Sequence, residues 1–220
     1  MCGRLTLTAN YKEKIRALFD DVTSEAWLPP RYNITPGQRL PVLTTPGKRH
    51  MDWQLWGWNA SMPGRAPLIN ARGETVHRLP TFRDAFRERR CLIFADGFYE
   101  WHRVAKQRPQ PYYFKRADGA AFPLAGMWRA DAVPSCVIIT TEANGLMHPV
   151  HHRMPVIFTP ESAMRWLDPD THPDTLVNML QPFPSEAMTC HPVSDRVNRA
   201  GEEGETLVEP VRILEQPGLF

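Results

Sequence analysis

The residue in this chain best equipped for covalent chemistry is the cysteine in second place, in Met1-Cys2-Gly3-Arg4. Removal of the initiator methionine would leave Cys2 carrying both an α-amine and a thiol. Such a 1,2-aminothiol adds its amine to an aldehyde as a Schiff base and then closes its sulfur onto the same carbon, giving a five-membered thiazolidine without a cofactor. An α-amine titrates near ~8 and a lysine near ~10.4, so at neutral pH the former has a neutral, nucleophilic fraction greater by roughly two orders of magnitude. The tetrapeptide is equally compatible with an ordinary cysteine.

Four further segments carry polar residues inside apolar surroundings. In Leu68-Ile69-Asn70-Ala71-Arg72-Gly73-Glu74-Thr75, Asn70 and Arg72 face the same way if the chain is extended. In Phe94-Ala95-Asp96-Gly97-Phe98-Tyr99-Glu100-Trp101, Glu100 lies between aromatics. A carboxyl there loses solvation, its pKa rises, and it becomes a general acid near neutrality; the ordinary alternative is an edge residue or an ion-pair partner. Asp96-Gly97 reads as a turn or bulge. The segment His148-Pro149-Val150-His151-His152-Arg153-Met154-Pro155 is restrained by its prolines, and an imidazole held there can move protons during amine addition. Cys190-His191-Pro192-Val193-Ser194 reads as a closing strand with a core histidine. Adjacent histidines with Cys190-His191 raise a zinc site, but adjacent side chains point apart and no ligand spacing supports it.

The elements that must position these residues are short. A chain of 220 residues with 42% hydrophobic content can bury a substantial core, and 22 scattered prolines imply many short elements joined by rigid turns. Asn10 with Glu13 resembles a capping box opening a helix whose apolar face is Ile15, Leu18 and Phe19. Leu40–Thr45 and Met51–Trp58 read as paired strands around Pro46-Gly47, and Phe82–Arg90 as a basic amphipathic helix. Strands are expected at Cys91–Ala95, Phe98–His102, Pro111–Arg116, Ala121–Trp128, Cys136–Thr141 and Val156–Phe158, with Asp118-Gly119 as a hairpin turn. Thr159-Pro160-Glu161 has the form of an N-cap followed by proline, opening a helix to Leu167, and Pro173–Leu180 reads as another. The expected fold is α+β: one domain over 1–220, with a curled, barrel-like, mainly antiparallel sheet and peripheral helices.

Composition narrows the partners. No apolar run reaches the ~18 residues of a membrane span and no signal-peptide pattern is visible, so a soluble cytoplasmic protein is expected. The four cysteines, Cys2, Cys91, Cys136 and Cys190, lack CxxC spacing and suit free thiols. Net charge is only +2, yet seven arginines against three acids lie between Arg65 and Arg90. Arginine's planar fork suits phosphate oxygens, although coding bias alone also produces arginine excess.

Taken in order, Cys2-Gly3-Arg4, Arg31-Tyr32-Asn33-Ile34-Thr35-Pro36-Gly37, Trp56-Gly57-Trp58, Ile69-Asn70-Ala71-Arg72-Gly73-Glu74-Thr75, Ala95-Asp96-Gly97-Phe98-Tyr99-Glu100-Trp101, His151-His152-Arg153-Met154-Pro155 and His191-Pro192-Val193-Ser194 resemble the signature of the SRAP family, the SOS response-associated peptidases that crosslink to abasic DNA. The resemblance runs from Cys2 to about Asn198. It implies that Cys2, freed of Met1 by thiol autopeptidase activity, attacks the ring-opened aldehyde of an abasic deoxyribose in single-stranded DNA and forms a thiazolidine crosslink that shields the lesion. By motif position, Asn70 would orient the amine and sugar, Glu100 would transfer protons in lyase-like Schiff-base chemistry, and His151, two residues before the arginine, would support ring opening. Arg4 and Arg72 would hold phosphates, with Asn33 and Pro36 shaping the neighbouring loop.

Family members often carry tryptophans after the Trp-Gly segment that wedge against bases; this chain has Ser61-Met62-Pro63-Gly64, leaving Met62 as an apolar wedge and Trp58 as the nearest aromatic. Weaker preference for single-strand/duplex junctions is the expectation. No cofactor or metal is implied, nor any membrane; a monomer in the cytoplasm, associated with the nucleoid when bound to DNA, suffices. Two rivals stand beside this reading: a thiol peptidase or amidohydrolase using Cys2 with His151 as base, and a non-enzymatic single-strand-binding module with a coincidental cysteine.

Overall fold

The computed structural model describes residues 2–25, 27–44, 50–58, 66–105 and 108–212. Its elements begin β1 (Leu5–Leu7), α1 (Tyr11–Leu18), β2 (Arg31–Ile34), β3 (Arg39–Leu43), β4 (Met51–Trp56), β5 (Asn70–Arg72), α2 (Gly73–Val76) and α3 (Arg83–Glu88). They continue β6 (Arg90–Ala95), β7 (Gly97–His102), β8 (Gln110–Arg116), β9 (Phe122–Arg129), β10 (Ser135–Glu142), β11 (Arg153–Pro155), α4 (Pro160–Leu167), α5 (Pro173–Asn178) and β12 (Met188–Pro192).

Two sheets share one apolar core, in the single-domain α+β arrangement that the apolar patterning implies. One sheet is antiparallel throughout, in the order β12-β8-β7-β1-β2. The other runs β11-β10-β4-β3-β6-β9 and closes on itself, because β10 also pairs with β9. β10 changes partners along its length. Its first half lies between β4 and β9, and its second half between β5 and β11. That switch brings β5 and β11, which carry or adjoin the candidate polar residues, to opposite edges of one strand.

The chain crosses between the sheets at Asp96-Gly97, a corner where the sequence suggested a turn or bulge. Asp96 is 3% exposed and accepts from Thr6 Oγ1 (2.8 Å), the Thr8 backbone N–H (2.9 Å) and Lys14 Nζ (3.0 Å), so its buried charge is paired and fully hydrogen-bonded. Gly97 serves a packing need: a Cβ there would sit 2.1 Å from the Tyr113 hydroxyl oxygen. Gly97→Ala is therefore expected to lower stability by about 1–3 kcal/mol through overpacking, read in urea melts, with a smaller cost when the same substitution is made in a Tyr113→Ala background.

Several local expectations change on folding. Asn10 does precede α1, but at φ 62° and with no side-chain cap; it is there because asparagine tolerates the left-handed region, not as half of a capping box. Asp118-Gly119 turns the chain, with Gly119 at φ 70°, yet β8 and β9 enter different sheets and form no hairpin. No strand forms at Val156–Phe158, where Ile157 makes only an isolated bridge to Leu124; the strand lies just before it, with Arg153-Met154-Pro155 paired to β10. By contrast, β3 and β4 pair as expected, and Thr159 caps α4 by accepting from the Ser162 N–H at 3.2 Å. Thr45, Pro46-Gly47 and Ser61-Met62-Pro63-Gly64 lie outside the described residues, so no placement is given for Met62. Among the described residues, no helix is long and apolar enough to cross a membrane.

Candidate active site

The chemistry-bearing residues meet where the two sheets face each other. Cys2 leads into β1, and Glu100 lies on the adjacent β7. Asn70 and Arg72 come from β5, and His151 immediately precedes β11. Asn70 joins the two sides: its Nδ2 donates to the Cys2 carbonyl at 2.8 Å. Its Oδ1 is buried and has no hydrogen-bond partner among the described residues. An orphaned acceptor of this kind costs about 1–3 kcal/mol, a cost that a donor arriving on a ligand or reacting group would relieve.

Burial sets the protonation states. Cys2 is fully buried, and desolvation, reinforced by the charge of Glu100, pushes its thiol well above the usual range. Glu100 is 3% exposed, and burial raises its carboxyl, opposed in part by a backbone hydrogen bond at Trp101 and by His152. His151 moves the other way: desolvation lowers it, so the neutral ring is favoured at pH 7. Its Nδ1 accepts from the Arg153 backbone N–H at 3.0 Å and lies 3.1 Å from the Arg153 carbonyl oxygen. The first contact suits a ring with a bare Nδ1 and the second a ring carrying a proton there, whether neutral tautomer or imidazolium, so the same backbone serves each state. The His151 and His152 rings stack at 4.5 Å; His152 is exposed, and its pKa is lowered chiefly by His151.

Arg153 had not been singled out from the sequence. Its guanidinium is buried and donates to both Glu74 carboxylate oxygens and, at 2.6 Å, to the Thr140 carbonyl. It thereby locks α2 to β10 beneath the histidines. The available signal was a charged residue between histidines and an apolar strand, but its partner lies 79 residues away.

The remaining expected residues divide. Arg72 is exposed at the end of β5, as a phosphate contact requires. Arg4 is committed to the fold: it donates to Asn33 Oδ1 and to the Val197 carbonyl, and packs 5.9 Å over Trp101. Asn33 is 1% exposed and donates to the carbonyls of Arg199 (3.0 Å) and Glu202 (3.1 Å), so it clamps the C-terminal segment and presents nothing to a strand. Pro36 lies in a tight turn closed by Gln38 N–H to Thr35 O (3.1 Å), with Gly37 at φ 85°, the arrangement of a type II turn.

Trp58 needs correction as a stacking residue. It is fully buried, with Phe82 5.5 Å from its ring and the Arg129 guanidinium 4.1 Å over it, so no face is left for a base. Arg90, counted in the basic stretch, is likewise buried and spends its guanidinium on four carbonyls at the ends of α3 and α4. His191 is half-buried and its Nε2 donates to the Val208 carbonyl at 2.8 Å, a structural contact within the fold. Among the described residues, no group of three or more His, Cys, Asp or Glu side chains is arranged to hold a metal.

Beside this centre lies a cleft of about 310 Å³ whose lining includes Asn70, Arg72, His152, Leu68, Leu79 and Phe82.

A family profile described as SOS response associated peptidase (SRAP) matches residues 1–200. The chain is 35% identical to the abasic site processing protein YoqW of Bacillus subtilis over 95% of its length and 99% of that protein's. It is 28% identical to the abasic site processing protein YedK of Escherichia coli, over 96% and 100% of the two chains. A crystal structure of a Bacteroides thetaiotaomicron protein superposes with a TM-score of 0.81, at 23% identity, covering 96% of this chain and all of that one, and so shares the fold.

Proposed function

This chain belongs to the SRAP family, and from that premise we propose that it processes abasic sites in single-stranded DNA by crosslinking to them through Cys2. The observation that carries the proposal is the Asn70 amide, which grips the Cys2 carbonyl with its nitrogen and leaves its buried oxygen without a partner. Once Met1 is removed, the free α-amine of Cys2 supplies the donor that this oxygen lacks. The relatives' shared description as abasic site processing proteins supports the substrate.

The sequence of bonds follows from the protonation states. The Cys2 nitrogen attacks the aldehyde carbon of the ring-opened deoxyribose, giving a carbinolamine. Glu100, whose acid form burial favours, delivers a proton to the departing oxygen, which leaves as water and yields the protonated Schiff base. The sulfur then adds to the same carbon, its proton returns to the Glu100 carboxylate, and the thiazolidine closes. Neutral His151 accepts a proton during sugar ring opening. Arg72 holds the flanking phosphate. Arg4 and Asn33 act one step back, by keeping the segment around Val197 in place.

The protonated thiol argues against the peptidase reading. A thiol peptidase needs a thiolate, favoured by cationic neighbours, whereas Cys2 is desolvated beside a carboxyl and its pKa moves up. In the crosslinking reaction the amine attacks first, and sulfur is needed only after an electrophilic Schiff base stands next to it. Proteolysis is then confined to removal of Met1.

One experiment separates the three functions. Protein is incubated with a single-stranded oligonucleotide containing one uracil, before and after uracil excision, and resolved under denaturing conditions. The expected result is a shifted band with the excised strand alone. Equal non-covalent binding of both strands with no shifted band would indicate a binding module, and turnover of peptide substrates a peptidase; either outcome overturns the proposal.

A further inference from the structure

We propose that Asn198, in the C-terminal segment, is a positioning residue for the reaction: its side chain holds the indole of Trp101 and thereby fixes the neighbouring Glu100 relative to Cys2. The inference rests on the crosslinking reading above. The need for such a tie arises where strand pairing stops. β1 and β7 are in register at Leu5 with Phe98 and Thr6 with Gly97, and the last hydrogen bond between them runs from the Tyr99 N–H to the Arg4 carbonyl at 3.1 Å. The backbone ladder therefore ends one residue short of Glu100 and two short of Cys2. Two groups that must meet the same sugar carbon sit on strand ends that their own pairing does not hold together.

The C-terminal segment supplies the tie from the other face of the sheet. Side chains alternate along β7, so Phe98 joins the main core with Glu100 on its side, while Tyr99 and Trp101 pack with Val193 and Val197 in a small second core. Over that second core Asp195–Asn198 forms a 3-10 turn, its start fixed by Ser194 Oγ, which accepts from the Arg196 N–H at 3.3 Å. At the end of the turn Asn198 Oδ1 accepts from Trp101 Nε1 at 2.7 Å. The Asn198 carbonyl accepts from Arg4 Nη2 at 3.4 Å, the Val197 carbonyl accepts from Arg4 Nη1, and the Arg4 guanidinium lies 5.9 Å over the Trp101 ring. One residue thus grips both strands just past the end of their ladder, through Arg4 on the Cys2 side and Trp101 on the Glu100 side. An indole has a single N–H to give, so its bond to Asn198 sets the orientation of the ring and of the backbone from which Glu100 projects. Rates of aligned reactions fall steeply with displacements of about 1 Å, so this hold is felt at the reacting atoms.

The test follows adduct formation over a range of concentrations of a single-stranded oligonucleotide carrying one abasic site, which separates the rate at saturation from the concentration at half-saturation. Asn198→Ala keeps the backbone carbonyl for Arg4 and removes only the acceptor for the indole. It is expected to lower the saturating rate by about tenfold, with the half-saturating concentration unchanged and the protein folded in urea melts. Asn198→Asp retains an acceptor oxygen and is expected to restore most of the rate. Trp101→Phe keeps a ring beneath Arg4 but removes the donor; it is expected to cost the same factor, with no further loss in Asn198→Ala/Trp101→Phe. A full saturating rate in Asn198→Ala would overturn the inference. So would losses that multiply in the double variant, an Asn198→Asp protein as slow as Asn198→Ala, or a half-saturating concentration that rises as the rate falls, the mark of a strand contact. Failure of the crosslinking reading is distinguishable, because it appears in the unmodified protein as a missing adduct.

Discussion

Cys2→Ala is expected to abolish the heat-stable adduct with abasic single strands while leaving strand binding intact. The reasoning concerns one atom. Alanine in second place, once a general aminopeptidase has removed Met1, still leaves a free α-amine, so a Schiff base still forms at the sugar aldehyde; what it cannot do is close a ring. The imine hydrolyses on denaturation unless borohydride reduces it first, so the variant should give a band only in the presence of reductant. Because Cys2 is fully buried, substitution also removes core volume, and a melting curve must accompany the assay. A heat-stable adduct from a folded Cys2→Ala protein without reductant would remove Cys2 from the proposed role. Intact mass is a useful companion, since the loss of one methionine reports whether the aminothiol exists.

Glu100→Gln is the second large effect, with crosslinking slowed by about 10²–10⁴-fold, the usual contribution of a positioned proton donor. The sign of its pH dependence follows from burial. Desolvation raises the Glu100 pKa, so the acid form persists toward neutrality, and activity is lost as pH rises through that value. His151 is lowered, so its neutral form persists toward acid, and activity is lost as pH falls and the ring and the α-amine gain protons. The unmodified protein therefore shows a bell-shaped profile whose alkaline limb belongs to Glu100. Glutamine fills the same space and bonds to the same neighbours but transfers no proton, so that limb disappears along with most of the rate. A Glu100→Gln profile that keeps both limbs and full rate would exclude the carboxyl from catalysis. The contribution of Asn70 is different: by holding amine and sugar together it makes successive steps intramolecular, an advantage of up to ~7–11 kcal/mol in well-aligned systems.

The polar residues divide into reacting groups and groups that support the surrounding fold. Arg4, Asn33, Arg90 and Arg153 are polar side chains whose donors are spent mainly on carbonyls and carboxylates of distant segments. Each resembles a ligand-binding residue in isolation, because arginine and asparagine offer the same donors to a phosphate as to a backbone.

The residues that could react were legible in the sequence because chemistry is local to a side chain: an aminothiol at the chain start, a carboxyl among aromatics and an imidazole before a strand are recognisable from type and neighbours alone. So were most strands, since β6, β7 and β10 are buried runs bounded by turns. Tertiary structure alone decided which polar groups remain free to act. Whether Arg72 or Arg4 meets a phosphate depends on the carbonyls that the C-terminal segment brings to Arg4 from nearly 200 residues away, and Trp58 loses its stacking face to a Phe82 and an Arg129 that no local pattern places over it. The physical reason is that hydrogen-bond and packing capacity is finite, and only the folded chain determines which partners have already used it.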